Sequence, residues 1–177
     1  MITLTRNLKK SNEENGQTNK RVSIRDKLLV KEVQEMEENM PSTVKCEFPD
    51  ANMLSEFYLI VSPNEGLWKN GKFKFLVTVN EEYNMMPPKV KCLTKVLHPN
   101  ISDKGEICLS LLRVNSIDGT SWLPTRRLKD VMFGINSIFT DLCDFSDPLN
   151  VEIAEEYATD SEKTKSKIRE FVQLHAR

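Results

Sequence analysis

The sequence predicts an α+β fold, helices packed on one antiparallel sheet, and three observations predict it. Apolar side chains recur at helical spacing after residue 23. Four short runs rich in β-branched and aromatic residues follow, separated by turn formers. Helical spacing then returns from residue 125 to the C-terminus. With 177 residues and 39% hydrophobic content the chain can bury one sizeable core. Residues 23–177 are read as that domain and residues 1–22 as a tail.

The tail carries Arg6, Lys9, Lys10, Lys20 and Arg21 against Glu13 and Glu14, around the polar stretch SNEENGQTN, which is the composition of a mobile basic leader. A helix should start at Ser23, whose hydroxyl can cap the first amides while Asp26 sits at the positive helix end. Leu29, Val33, Met36 and Met40 form one stripe, Arg25, Lys27, Lys31, Glu35 and Glu38 lie largely outside it, and Pro41 stops the helix.

TVKCEF, FYLIV and KFLVTV have strand character, and PDANM and PNEGLWKNGK supply turns between them, so an antiparallel meander is expected. The fourth strand, KVKCLTKV, follows Pro87-Pro88 and places Val90, Cys92 and Thr94 on one face. Cys92 and Cys46 read as small buried hydrophobes. From 125 to 142, Leu128, Val131, Met132, Ile135, Ile138, Phe139 and Leu142 cover a wide helical arc, which predicts a central, well-buried helix ended by a structural Cys143. Two more helices are expected, over 150–158 and from 160 onward, each opened by a capping residue.

A formal charge of -1 offers no global drive to bind nucleic acid. No apolar run approaches the roughly 18 residues of a membrane span, and the start MITLTRNLKK has no signal-type stretch, so a soluble, cytoplasmic and nuclear protein without membrane contact is expected. Cys46, Cys92, Cys108 and Cys143 are far apart, and His98 and His175 are the only imidazoles. Neither a metal site, a disulfide framework nor another cofactor is expected.

Between the fourth strand and the central helix lie about 30 residues with no clear period, and a connection that long in a compact domain is usually functional. It holds His98-Pro99-Asn100, a Gly-Glu-Ile-Cys-Leu turn, Trp122 and Pro124. Cys108 is the candidate reactive thiol because it alone of the four cysteines lies there.

His98-Pro99-Asn100-Ile101, followed after a short turn by Gly105-Glu106-Ile107-Cys108-Leu109, resembles the active-site signature of the ubiquitin-conjugating enzymes. Tyr83-Asn84-Met85-Met86-Pro87-Pro88-Lys89-Val90, Trp122-Leu123-Pro124 and Asp147-Pro148-Leu149-Asn150 match the family in order and approximate spacing, over roughly residues 23–177. The resemblance implies the family's fold and its chemistry. A thiolate receives a ubiquitin-like modifier as a thioester, and a lysine amine then takes it.

A cysteine protease would need an imidazole paired with the thiol. His98 is a candidate for that role, but its place in the triplet favours a structural one, shared with Pro99 and Trp122. By resemblance Asn100 supports the oxyanion formed when lysine attacks, either by donating its amide or by ordering the surrounding loop. Asp147 resembles the acidic residue that orients the incoming lysine and favours loss of its proton, with a helix cap as the alternative.

The loop over 113–121, the basic tail, the run over 21–32 and Lys91-Cys92-Leu93-Thr94-Lys95 are similar to the neddylation branch of the family, of the second, F type. That likeness implies a neddylation activating enzyme, the ubiquitin-like modifier, a RING-box ligase subunit and a cullin, of the cullin-five branch, as partners. It further implies that the tail docks on the activating enzyme through Ile2, Leu4 and Leu8, and that a co-ligase takes an acetylated Met1. RING-ligase contacts carried over by position are Lys27, Lys31, Met85, Met86, Leu123 and Pro124, although the methionines have core filling as an alternative. The rivals are a ubiquitin-specific conjugating enzyme and a catalytically inactive binding module on the same fold, the second disfavoured by the presence of Cys108.

Overall fold

The computed structural model describes residues 23–114, 119–140 and 143–177. Met1, Ile2, Leu4 and Leu8 of the tail, Leu142 and the middle of the 113–121 loop lie outside the described residues. The elements run α1 (Ile24–Glu38), β1 (Val44–Glu47), β2 (Glu56–Val61), β3 (Phe73–Thr78), β4 (Lys89–Cys92), a 3₁₀ turn (Ser110–Leu112), α2 (Leu128–Ser137), α3 (Val151–Thr159) and α4 (Ser161–His175).

Ser23 caps α1 as expected, its hydroxyl accepting from the Asp26 N–H at 3.0 Å, which stabilises a helix end by about 1 kcal/mol. Leu29, Val33 and Met36 are buried along the anticipated stripe. The four strands pair antiparallel in sequence order. Because side chains alternate across a strand, Phe57, Leu59 and Val61 of β2 and Phe73, Phe75 and Val77 of β3 fall on one buried face, while Tyr58, Ile60, Lys74 and Leu76 between them are only partly covered. Beside α2, Phe139 continues this core, its ring stacked on Phe73 at 4.5 Å between centroids. In α4, Ile168 and Val172 are buried, and the Lys72 N–H at the foot of β3 donates to the Ala176 carbonyl at 2.6 Å.

Two elements fall well short of their predicted extents. β4 ends at Cys92 rather than continuing to Val96, because the next Lys74 N–H turns to the Thr94 hydroxyl instead of a ladder carbonyl. The central helix spans Leu128–Ser137, shorter than 125–142. Its start is set by Asp130, whose carboxylate accepts from the Arg127 N–H at 2.8 Å. Beyond Ser137 the hydrogen bonds from Phe139 to Asn136 and from Thr140 to Ser137 tighten to i→i−3 spacing and close the helix.

Candidate active site

The stretch between β4 and α2 builds the site, beginning with a tight turn. The Ser102 N–H donates to the Glu106 carbonyl at 3.0 Å, Ser102 Oγ accepts from the Glu106 N–H at 3.1 Å, and Gly105 adopts φ of 80°. The Gly105 carbonyl accepts from the Cys92 N–H at 2.9 Å, and a Cβ at Gly105 would fall on the Cys92 carbonyl oxygen. Positive φ and close backbone approach together demand glycine here. The returning chain bridges Ile107 to Ile101 and brings the Cys108 N–H to the Asn100 carbonyl at 2.8 Å.

His98 is fully buried, 4.4 Å from the Trp68 ring and edge-on to Phe139. Its Nδ1 accepts from the Asn100 N–H at 2.9 Å, so the proton sits on Nε2, which donates to the Ile138 carbonyl at 2.8 Å. Both nitrogens are thereby occupied, and burial pushes the ring pKa down to about 4. This imidazole has no nitrogen with which to take a proton from Cys108. Instead it joins the active-site turn to the end of α2.

Asn100 is 5% exposed, and its side-chain oxygen accepts from the Asp144 N–H at 3.2 Å, so the NH2 group is the donor of this side chain. The Pro99 carbonyl accepts from the Leu149 and Asn150 N–H groups at 2.8 and 2.9 Å. The triplet thus grips the 144–150 segment at both ends. Asp147 stands exposed within it, and the helix cap is Asn150, whose Oδ1 accepts from the Ile153 N–H. The Ser146 hydroxyl and amide, with the Asp147 amide, hold the Asp144 carboxyl below its ordinary range.

Cys108 is half-buried. Arg113, just past the 3₁₀ turn, donates from Nη2 to Cys108 Sγ at 2.7 Å, and its own carbonyl accepts from the Trp122 N–H at 2.8 Å. Burial raises the thiols of Cys92 and Cys143 to about 12 and raises Cys46 as well, so these three stay protonated. Among the described residues, no group of three or more His, Cys, Asp and Glu side chains is arranged to hold a metal ion.

Trp122 is buried, and its indole N–H donates to the Asn84 carbonyl at 2.8 Å, while the Asn84 amide donates to the Pro124 carbonyl. Tyr83 next to it donates to Glu32 of α1, and the same carboxylate oxygen accepts from the Leu128 N–H at 3.0 Å, satisfying an orphan donor at the start of α2. These bonds tie α1, the 83–86 segment and the 122–124 segment together. On the outside, Met85 is 69% and Leu123 48% exposed, Lys27, Lys31 and Pro124 are exposed, and Met86 is partly covered.

Sequence reasoning missed Glu32, Arg113 and Asp144. Glu32 sits on the apolar arc between Leu29 and Met36, where a charged residue signals a buried partner. A basic side chain one short turn past the candidate thiol was the available signal for Arg113. Nothing local marked the Asp144 amide.

A family model described as Ubiquitin-conjugating enzyme matches residues 28–172. The NEDD8-conjugating enzyme UBE2F of Rattus norvegicus is 54% identical over 185 residues, covering 100% of both chains. Its Danio rerio counterpart is 59% identical over 89% of this chain and 85% of its own. The NEDD8-conjugating enzyme ubc-12 of Caenorhabditis elegans is 43% identical, with 99% of each chain covered. Among the described residues no helix is long and apolar enough to cross a membrane.

Proposed function

The chain belongs to the ubiquitin-conjugating enzyme family, and on that premise we propose that it accepts NEDD8 as a thioester on Cys108 and passes it to a target lysine. One observation carries the chemistry: a half-buried thiol stands in a hydrogen-bonded turn whose only histidine has both nitrogens occupied. Peptide hydrolysis requires an imidazole to protonate an amine leaving group. Thioester exchange expels a thiolate and does not. Full-length similarity to relatives named as NEDD8-conjugating enzymes supports the choice of modifier.

In this mechanism the Asn100 amide supports the oxyanion as lysine attacks, and Asp147, exposed on the segment gripped by Pro99 and Asn100, orients the lysine. Met85, Leu123 and Pro124, with Met86, Lys27 and Lys31, form the surface for a RING-type ligase. The joint from Asn84 to Pro124 and the exposure of Met85 and Leu123 support that assignment. The tail of residues 1–22 docks on the NEDD8-activating enzyme through Ile2, Leu4 and Leu8, and an acetylated Met1 engages a co-ligase. The target lysine lies on a cullin of the cullin-five branch, in the cytoplasm or nucleus.

The test is incubation of the full chain with ATP and either NEDD8 and its activating enzyme or ubiquitin and its own, resolved with and without reductant. A reducible adduct is expected with the NEDD8 pair and none in Cys108→Ala. An adduct with the ubiquitin pair alone would move the chain to the ubiquitin branch, and one that persists in Cys108→Ala would remove the thiol from the mechanism.

A further inference from the structure

The position of Arg113 has a chemical meaning that depends on what Cys108 does. Its Nη2 lies 2.7 Å from Sγ, and it starts the long loop that Trp122 closes, since the Trp122 N–H is bonded to the Arg113 carbonyl. Trp122 is in turn buried and held by the Asn84 carbonyl. The backbone of Arg113 is therefore held at a buried joint, with its guanidinium against the sulfur.

We infer that Arg113 is a catalytic residue of the thioester cycle, its guanidinium donating to Sγ of Cys108 whenever that sulfur carries negative charge. This rests on the proposed role of Cys108. On charging, the Cys108 thiolate attacks the carbonyl carbon of the donor thioester, a C–S bond to Cys108 forms, and the donor sulfur leaves as a thiolate. On discharge, the lysine nitrogen attacks the same carbon, the C–N bond forms, the C–S bond breaks, Sγ leaves as a thiolate, and the amine proton passes to solvent or to Asp147.

The bond from Arg113 is weak to the neutral thioester sulfur and charge-assisted to the thiolate, so it strengthens as the C–S bond breaks. The two steps respond unequally. A thiolate stabilised by a cation is more populated but less nucleophilic, and the opposing effects largely cancel on charging. On discharge the sulfur is the leaving group, and stabilisation acts in one direction.

The experiment compares wild type, Arg113→Gln and Arg113→Lys in two measurements. In the first, single-turnover charging of Cys108 by the NEDD8-activating enzyme is timed. In the second, single-turnover discharge of preformed NEDD8 thioester to free lysine is timed.

The expected result is a discharge rate roughly tenfold lower in Arg113→Gln. Charging should change by less than about threefold, and Arg113→Lys should recover part of the discharge rate. Unchanged discharge in Arg113→Gln, a loss of charging as large as that of discharge, or equal loss in the lysine and glutamine variants would make Arg113 a loop anchor and overturn the inference. Thermal melts of the three proteins identify a folding defect. If glutamine unfolds the chain, Arg113→Met takes its place with the same expectations. Should wild type form no thioester, the proposed function fails on its own; a wild type that charges while the neutral variant discharges at its rate overturns this inference alone.

Discussion

Acidification should destabilise this protein through His98 before most of its carboxylates titrate. Burial lowers the folded-state pKa of His98 to about 4 from an ordinary value of 6.5. The unfolded chain thus binds the proton more tightly than the folded one, and stability falls as pH falls. The contribution is intact above the unfolded value and lost progressively down to the folded one. Between pH 7 and pH 5 the loss comes to roughly 2 kcal/mol, because the unfolded imidazole is almost fully protonated at pH 5 while the folded one is still mostly neutral. Urea unfolding at the two pH values measures it, with His98→Gln as the reference, since glutamine can still donate to the Ile138 carbonyl but does not titrate. Subtracting the variant's pH dependence removes carboxylates such as Asp144, whose lowered pKa also costs stability in acid. A variant that loses as much stability between pH 7 and pH 5 as wild type would refute the assignment of the buried neutral ring. So would a histidine limb near 6.5 in the discharge rate that disappears with His98.

The remaining predictions concern the turn and its asparagine. Asn100→Ala should slow lysine discharge by about 10²-fold while sparing charging of Cys108, read from single-turnover assays of each step; equal loss of both would leave Asn100 only the role of holding the 144–150 segment. Asn100→Asp keeps an acceptor for the Asp144 N–H but lacks the NH2 donor, so a discharge as slow as that of the alanine variant assigns the effect to the donor. Gly105→Ala should cost about 2–3 kcal/mol in urea denaturation, the sum of left-handed strain and a lost bond between Cys92 and Gly105. Gly119→Ala is the control, since Gly119 has φ of 72° and nothing within 4 Å of its Cβ position; equal costs at the two sites would contradict the close approach to β4.

Periodicity and motif order mark the elements and single out one candidate thiol. Helical spacing placed the buried faces of α1 and α2 because a core-facing stripe must repeat every 3.6 residues. Alternation and turn formers likewise marked the four strands. Cys108 was distinguishable because it alone lies in a segment without either period, among motifs whose order is itself informative. Local patterns carry that much because they record which side of an element meets the core.

What surrounds that thiol depends on contacts between distant segments. That His98 has both nitrogens occupied depends on the Ile138 carbonyl, 40 residues away. That Asn100 grips the segment carrying Asp147 depends on the Asp144 amide, 44 residues on. Glu32 is buried without waste only because Tyr83 and the Leu128 amide arrive from two other segments. The guanidinium meets Sγ where the Trp122 amide holds the Arg113 carbonyl. Each of these bonds joins segments that no periodicity relates, and their geometry exists only once the sheet and α2 have packed and fixed where each polar group points.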